Sequence, residues 1–174
     1  MDHITKLATS IRLLLLDVDG VLTDGKLYFG NNGEELKAFN IYDGLGIKLL
    51  QRSGVQVGIV TGRQSQLVAR RAADLGITIV VQGREDKLTA IQELQKQHDF
   101  NIVEIAYMGD DLPDLTAIRE VGLGMTVANA SSIIKKQAKW ISAYAGGNGA
   151  VREACDLIMV AQGSMEKIVQ QYSS

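Results

Sequence analysis

Short, densely apolar runs alternate along this chain with longer stretches whose apolar residues recur every three or four positions. Three runs stand out: RLLLLDV (12–18), VQVGIVT (55–61) and IVEIAYMGD (102–110). Their shortness and near-continuous hydrophobicity predict strands buried on both faces of a parallel sheet. Between them the spacing predicts helices. Residues 44–54 carry Ile47, Leu49 and Leu50 and stop at Gly54. Residues 63–77 place Leu67, Val68, Ala72 and Leu75 on one face and stop at Gly76, and residues 85–98 carry Leu88, Ile91 and Leu94. A glycine just past the last periodic residue suits a helix C-terminus. Lesser strands are predicted at 78–82 and 122–127, and further helices at about 130–138, 149–160 and 164–172. Strands alternating with helices form parallel βαβ units. The predicted fold is therefore α/β, a three-layer sandwich with a central parallel sheet, Rossmann-like in layout.

One segment breaks the alternation. In KLYFGNNGEELKAFNI (26–41), Asn-Asn-Gly separates two runs that contain Leu27, Phe29, Leu36, Phe39 and Ile41. That pattern predicts a β-hairpin inserted after the first strand. About forty residues separate Asp19 from Thr61 and fewer separate Thr61 from Lys87, which leaves no room for a separate cap domain. Residues 1–174 read as a single domain that ends in a tail at about 163–174.

Composition narrows the function classes. A net charge of −2 argues against a nucleic-acid-binding surface, which needs a basic excess. No stretch approaches the ~18 apolar residues of a membrane span, and the N-terminus lacks the apolar core of a signal peptide. The one cysteine, Cys155, lies in an apolar helical pattern, where it reads as a buried packing residue, and a lone cysteine fits a reducing, cytoplasmic compartment.

Chemistry concentrates where the predicted strands end. The first ends in Asp17-Val-Asp19-Gly20, the second in Thr61-Gly62-Arg63, and the third in Gly109-Asp110-Asp111, with Asp114 a turn later; Lys87 opens the helix after the weaker third-edge strand. In open α/β sheets ligands bind outside the carboxyl ends of strands, so the fold would gather these groups at one rim. Crowded carboxylates repel and raise one another's pKa, and a hard divalent cation such as Mg²⁺ offsets that. A calcium loop starting at Asp17 fails, because Leu22 replaces the required glycine and Tyr28 the required glutamate. Zinc lacks ligands, since His3, His98 and Cys155 are far from these motifs. Two aspartates just beyond a strand end can share work, one attacking and one moving protons, and carboxylates do form aspartyl-phosphates. Thr61 offers a hydroxyl, the Thr-Gly turn offers N–H groups for phosphate oxygens, and Lys87 offers the cation that lets an anion approach an anion.

Plainer readings stand beside these. Asp24 reads as a turn residue, and Asp43 as a cap of the helix at 44. Thr61 could cap the helix at 63, Lys87 could be a solvated surface lysine, and Asp114 is as readily a helix-face charge. Arg84 could serve to balance Glu85 and Asp86. The stretch AGGNGAVRE (145–153) reads as an ordinary turn or as a loop before a helix N-terminus that binds an anion.

The ordered set DxDG, TG, a lone Lys and GDDxxD resembles the haloacid dehalogenase superfamily of phosphatases over about residues 12–130. That resemblance implies Asp17 as nucleophile and Asp19 as general acid and base. It implies Thr61 and Lys87 on the phosphoryl group, and Mg²⁺ held by Asp17, the Asp19 carbonyl and Asp110, with Asp111 and Asp114 in support. A narrower resemblance runs over nearly the whole chain. LDVDGVLTDG, the hairpin, DGLGIKLL, TGR and GDDLPDL are similar to the branch that acts on 3-deoxy-D-manno-octulosonate 8-phosphate (Kdo-8-phosphate) in lipopolysaccharide precursor synthesis. This branch implies a capless enzyme assembled as a homotetramer, with hairpins and C-terminal tails of neighbours closing each site. It implies Gly62, Arg63, Arg71 and Arg84 as candidate substrate-binding residues, Arg71 from a neighbouring subunit. Arg63 suits the substrate carboxylate and favours an eight-carbon over a nine-carbon, sialic-acid-type keto acid phosphate. A phospho-accepting signalling module is the rival class, but there the acidic pair and the acceptor lie on different strands.

Overall fold

A computed structural model describes residues 2–173. Its main sheet has six parallel strands: β1 (Leu13–Leu16), β4 (Gln56–Val60), β5 (Ile79–Val81), β6 (Ile105–Gly109), β7 (Leu123–Thr126) and β8 (Trp140–Ile141), in the spatial order β5-β4-β1-β6-β7-β8. The predicted α/β sandwich is thus the observed one. All four leucines of β1 are fully buried, because this strand has a neighbour on each side and helices on each face. A continuous apolar run is what such a position demands.

The helices are α1 (His3–Thr9), α2 (Ile41–Arg52), α3 (Gln66–Leu75), α4 (Lys87–His98), α5 (Leu115–Glu120), α6 (Ser132–Gln137), α7 (Ala150–Ala161) and α8 (Met165–Gln171). Helices α1, α2 and α7 pack together on one face of the sheet, and α4 and α5 pack together on the other. Gly76 closes α3 in the left-handed conformation expected of it, at φ +70°. Gly54 lies one residue past the C-cap Ser53, at φ +101°. Cys155 is fully buried, as its pattern predicts.

Two helix starts lie three residues from the sequence reading. Helix α3 begins at Gln66 rather than 63, because residues 62–65 form a loop in which the Ser65 N–H donates to Gln82 Oε1 at 2.8 Å. Helix α2 begins at Ile41 rather than 44, and its cap is Asn40, whose side chain accepts from the Tyr42 N–H at 2.8 Å. Asp43 therefore does not cap its own helix. It is buried and its Oδ1 accepts the Arg152 N–H at 2.8 Å, so it caps α7 from across the helix pair. Burial raises the Asp43 pKa, and this N–H group and Arg71 oppose the rise. The anion at the N-terminus of α7 is thus supplied by the chain itself.

The hairpin is shorter than predicted. Strands β2 (Tyr28–Phe29) and β3 (Glu35–Leu36) pair antiparallel with Tyr28 opposite Leu36, while Ile41 belongs to α2. Asp24 is the turn residue expected, accepting from the Lys26 N–H and the Tyr28 hydroxyl, each at 3.0 Å. At the C-terminus, α8 packs back on α7 and buries Ile168, so residues 165–171 lie on the chain's own helices. No helix among the described residues is long and apolar enough to cross a membrane.

Asp43→Ala removes the partner of the Arg152 N–H, in the first turn of α7, from a buried site. The expected loss is about 2 kcal/mol of stability, measured by urea unfolding.

Candidate active site

Strand order fixes where the site forms. The chain leaves β1 toward β4 and β5, then returns to build β6, β7 and β8 on the other side. The reversal puts the carboxyl ends of β1 and β6 side by side, the usual ligand crevice of an open parallel sheet. Leu16 is in register with Met108, and the Asp17 N–H donates to the Met108 carbonyl at 3.0 Å. Asp17 and Asp110 are each the first residue past their strand and so emerge as neighbours. Carboxylate oxygens of Asp17, Asp110 and Asp114 all lie within 4.8 Å of one another.

This much negative charge is held against burial. Desolvation, then the charge of Asp114, raises the Asp17 carboxyl to about 6, although Lys87 pulls the other way. Burial, Asp114 and Asp17 raise Asp110 to about 7. Lys87 is the fixed counterion. Its side chain is 2% exposed, and Nζ lies 3.0 Å from Asp17 Oδ1 and 3.3 Å from Asp114 Oδ1. Nζ also donates to the Val60 carbonyl at 2.9 Å and to the Tyr107 hydroxyl at 3.2 Å. The Tyr107 hydroxyl in turn donates to Asp114 Oδ1 at 2.5 Å. Asp114 Oδ2 accepts the N–H groups of Asp110 and Asp111 at 2.9 and 3.2 Å. Asp114 is therefore saturated and shapes the Asp110–Asp111 turn, whereas among the described residues no hydrogen bond is found at the Asp110 side chain. Asp17 and Asp110, hard oxygen donors with raised pKa values, fit a divalent cation such as Mg²⁺, which would remove the mutual repulsion.

Asp19 sits at the other side of the cleft. Its carboxylate is paired with Lys37, which enters from the hairpin. Lys37 also lies 3.3 Å from Glu35, and the same Glu35 oxygen receives Arg63 at 3.3 Å. Thr61 is buried directly after β4, its N–H on the Val81 carbonyl at 2.9 Å and its own carbonyl accepting from Arg84 N–H at 3.1 Å. Gly62 follows it, and a Cβ there would come within 3.3 Å of Glu85.

The backbone around Asp19 is packed too tightly for side chains. Gly20 has φ +89°, and a Cβ on it would lie 2.1 Å from Asp110 Oδ2. Behind it stands the loop before α7. A Cβ on Gly146 would lie 1.8 Å from the Gly20 carbonyl oxygen. The Gly147 N–H donates to the Val21 carbonyl at 2.9 Å, and Asn40 donates to the Gly147 carbonyl at 3.2 Å. The glycines of 145–149 thus buttress the aspartate loop.

Three predicted site residues have other partners within this chain. Asp111 is exposed, and its carboxylate caps its own turn through the Leu112 N–H at 2.9 Å, so it does not join the converging oxygens. Arg84 is engaged by Asp86 at 2.7 and 2.8 Å and by Glu93 at 2.9 and 3.1 Å, the charge-balancing role that neighbouring acids suggest. Arg71 donates to the Asn40 carbonyl at 3.1 Å and lies over the Phe39 ring, 5.6 Å from its centroid. Conversely, Tyr107, Lys37, Glu35 and Gly146 were not predicted. Tyr107 reads as a strand aromatic, and only its place two residues before Gly109 on the inward face hints at more. Lys37 and Glu35 are two apart on one hairpin strand, which sets both on the same face.

Comparison with known proteins agrees with this geometry. The haloacid dehalogenase-like hydrolase family matches residues 77–153. The chain is 49% identical over 160 residues to 3-deoxy-D-manno-octulosonate 8-phosphate phosphatase KdsC of Escherichia coli K12, covering 92% of this chain and 85% of that one. A Moraxella catarrhalis structure of the same phosphatase, in complex with a magnesium ion, a phosphate ion and Kdo, matches with a TM-score of 0.97 and 44% identity over 99% of each chain. The cobalt-bound enzyme of Haemophilus influenzae matches with a TM-score of 0.87 and 43% identity, over 91% of this chain and 92% of that one. This chain belongs to the 3-deoxy-D-manno-octulosonate 8-phosphate phosphatase family of haloacid dehalogenase-like hydrolases.

Proposed function

We propose that this chain is a Mg²⁺-dependent phosphomonoesterase that hydrolyses Kdo-8-phosphate to Kdo and phosphate through a phosphorylated Asp17. The observation that carries this reading is the convergence of Asp17, Asp110 and Lys87 at the β1–β6 crevice in a chain so similar to such phosphatases. Asp17 attacks phosphorus, and the bond to the sugar oxygen breaks as that oxygen takes a proton from Asp19. Asp19 then takes a proton from water, which attacks the aspartyl-phosphate and releases phosphate and free Asp17. Lys87 keeps Asp17 aimed and offsets charge as the two anions meet. The Thr61 hydroxyl and the Gly62 N–H receive phosphate oxygens. Arg63, the guanidinium nearest the hairpin, takes the sugar carboxylate. Asp17, Asp110 and the Asp19 carbonyl would hold Mg²⁺, with Asp114 and Asp111 shaping the turn from behind. When bound, the cation neutralises the carboxylates and polarises a phosphate oxygen. Arg71 and Arg84, engaged as they are, receive no substrate contact in this scheme.

The nine-carbon and signalling alternatives are not favoured by these relatives. We also propose that the chain is a single domain over residues 1–174 and assembles as a tetramer in the cytoplasm. Supporting assembly, the hairpin and the start of α2 expose the large apolar side chains Phe29, Leu36, Ile41 and Tyr42, at 66, 65, 76 and 64%. Supporting the compartment, the single cysteine is free and buried.

Three measurements test the reading. Phosphate release from Kdo-8-phosphate in Mg²⁺ is expected from the wild type and is expected to fall at least about a thousandfold in Asp17→Asn; undiminished release by the variant would defeat the assignment. Light scattering is expected to return four chains, and a stable monomer would remove the assembly. The third follows from the raised carboxyls. Asp17 and Asp110 bind protons more tightly folded than unfolded, where the value is 3.8. Their contribution to stability is therefore full below that value and is lost as pH rises through about 6 and about 7. The metal-free protein should melt lower at about pH 8 than at about pH 5. Mg²⁺ should recover about 5 °C at the higher pH and little at the lower, where protonated carboxyls do not ligate. Asp110→Asn should flatten both dependences in a thermal-shift series.

A further inference from the structure

One side chain joins the hairpin to the catalytic cleft. Lys37 is 2% exposed at its side chain, and its ammonium is shared between Asp19 of the loop after β1 and Glu35 of β3. The Glu35 oxygen that faces it, 3.3 Å away, is the one that also receives Arg63 at 3.3 Å. Charges alternate along this path from Asp19 through Lys37 and Glu35 to Arg63, and three separate chain segments supply them. A shielded ammonium between two carboxylates costs desolvation, and apolar residues would anchor a hairpin at least as well. Apolar residues are available there, yet Phe29 and Leu36 remain 66% and 65% exposed. The arrangement therefore serves something other than anchoring. Lysine suits it, because a compact ammonium on a flexible stem can move its protons between two acceptors.

Arg63 is the only one of these groups placed to meet a substrate anion first, with a side chain 43% exposed. A carboxylate arriving on Arg63 competes with Glu35 for the guanidinium. Glu35, left with one cationic partner, then draws Lys37 toward itself and away from Asp19. We propose that Lys37 is a positioning residue for Asp19, and that Glu35 transmits occupancy of Arg63 to it, so that a substrate carboxylate is read at Asp19. This rests on the phosphatase reading above, in which Asp19 serves the leaving group. Binding energy from a remote carboxylate would in this way appear in kcat rather than KM. Selectivity for sugar-acid phosphates would reside in the hairpin as well as in Arg63.

The test uses the full chain with Mg²⁺ and two substrates, Kdo-8-phosphate and p-nitrophenyl phosphate, which has no carboxylate. Glu35→Gln is expected to lower the ratio of the two kcat values (sugar acid over aryl) about tenfold. An unchanged ratio, whether both rates fall together or neither falls, overturns the coupling. Lys37→Met is expected to lower kcat on p-nitrophenyl phosphate at least about tenfold with KM within about threefold, and Lys37→Arg to recover most of it. An unchanged kcat, or a rise in KM alone, overturns positioning by Lys37. Lys37→Gln, judged by the same outcomes, replaces Lys37→Met should that variant fail to fold. If the wild type cleaves the aryl ester but not Kdo-8-phosphate, the substrate reading and the coupling fall together, and the Lys37 result on the aryl ester still decides the positioning.

Discussion

Negative charge gathered at one point of the sheet is the constraint on which the rest of this structure depends. The β1–β6 crevice brings Asp17, Asp110 and Asp114 within reach of one ion, and the chain provides a single buried ammonium against them. That ammonium donates to the Val60 carbonyl and the Tyr107 hydroxyl at 2.9 and 3.2 Å, and it lies 3.0 Å from Asp17 and 3.3 Å from Asp114. Tyr107 also donates to Asp114, so the phenol and the ammonium share that carboxylate while the ammonium stands closer to Asp17. Asp114 spends its second oxygen on two backbone N–H groups, which aims Asp110 into the crevice. The remaining excess charge lies on Asp17 and Asp110, whose raised carboxyls a divalent cation would draw fully into the ionised form.

The packing that supports this arrangement is backbone against backbone. Gly20 approaches Asp110, and Gly146 approaches the Gly20 carbonyl, at distances that exclude any side chain. The second of these loops leads into α7, whose first turn is capped by Asp43 of α2 and whose preceding glycine carbonyl is held by Asn40. The start of α2 therefore governs how firmly the floor of the cleft is held, although none of its residues belongs to the reacting set. Fold stability and site geometry share the same few contacts here, so a change at Asp43 or Asn40 acts on both.

The central strands and the four chemical motifs are legible in the sequence for a common reason. Buried parallel strands require continuous apolar runs, and ligands bind where such runs end, so LLLLDVD and IAYMGDD announce element and site together. What escapes is whatever depends on one segment meeting another. Asp43 looks like a local cap because the sequence does not reveal that α7 starts beside it. The loop 145–149 looks flexible because its glycines answer to Gly20, more than a hundred residues earlier. Arg71 reads as a candidate substrate cation until its contact with the Asn40 carbonyl is seen. Helix α1 and the two-residue β8 carry too little periodicity to be noticed, and α5 is hidden because it is only six residues long and follows directly on the acidic motif.

A phosphatase without a cap domain must solve two problems with small means. It must exclude competing water and distinguish one phosphate ester from another, and here only a hairpin with two-residue strands stands over the cleft. Such a hairpin has too little apolar burial of its own to be stable as an independent unit. Its side chains Phe29 and Leu36 are exposed and apolar, which calls for a covering surface, while Lys37 and Glu35 pair with Asp19 and Arg63. The two sets need each other. Covering the apolar side chains by assembly would fix the hairpin, and a fixed hairpin would hold the ionic path from Arg63 to Asp19 in place. Assembly and substrate selectivity would then be two consequences of a single inserted element, and a chain of this size would need no separate lid.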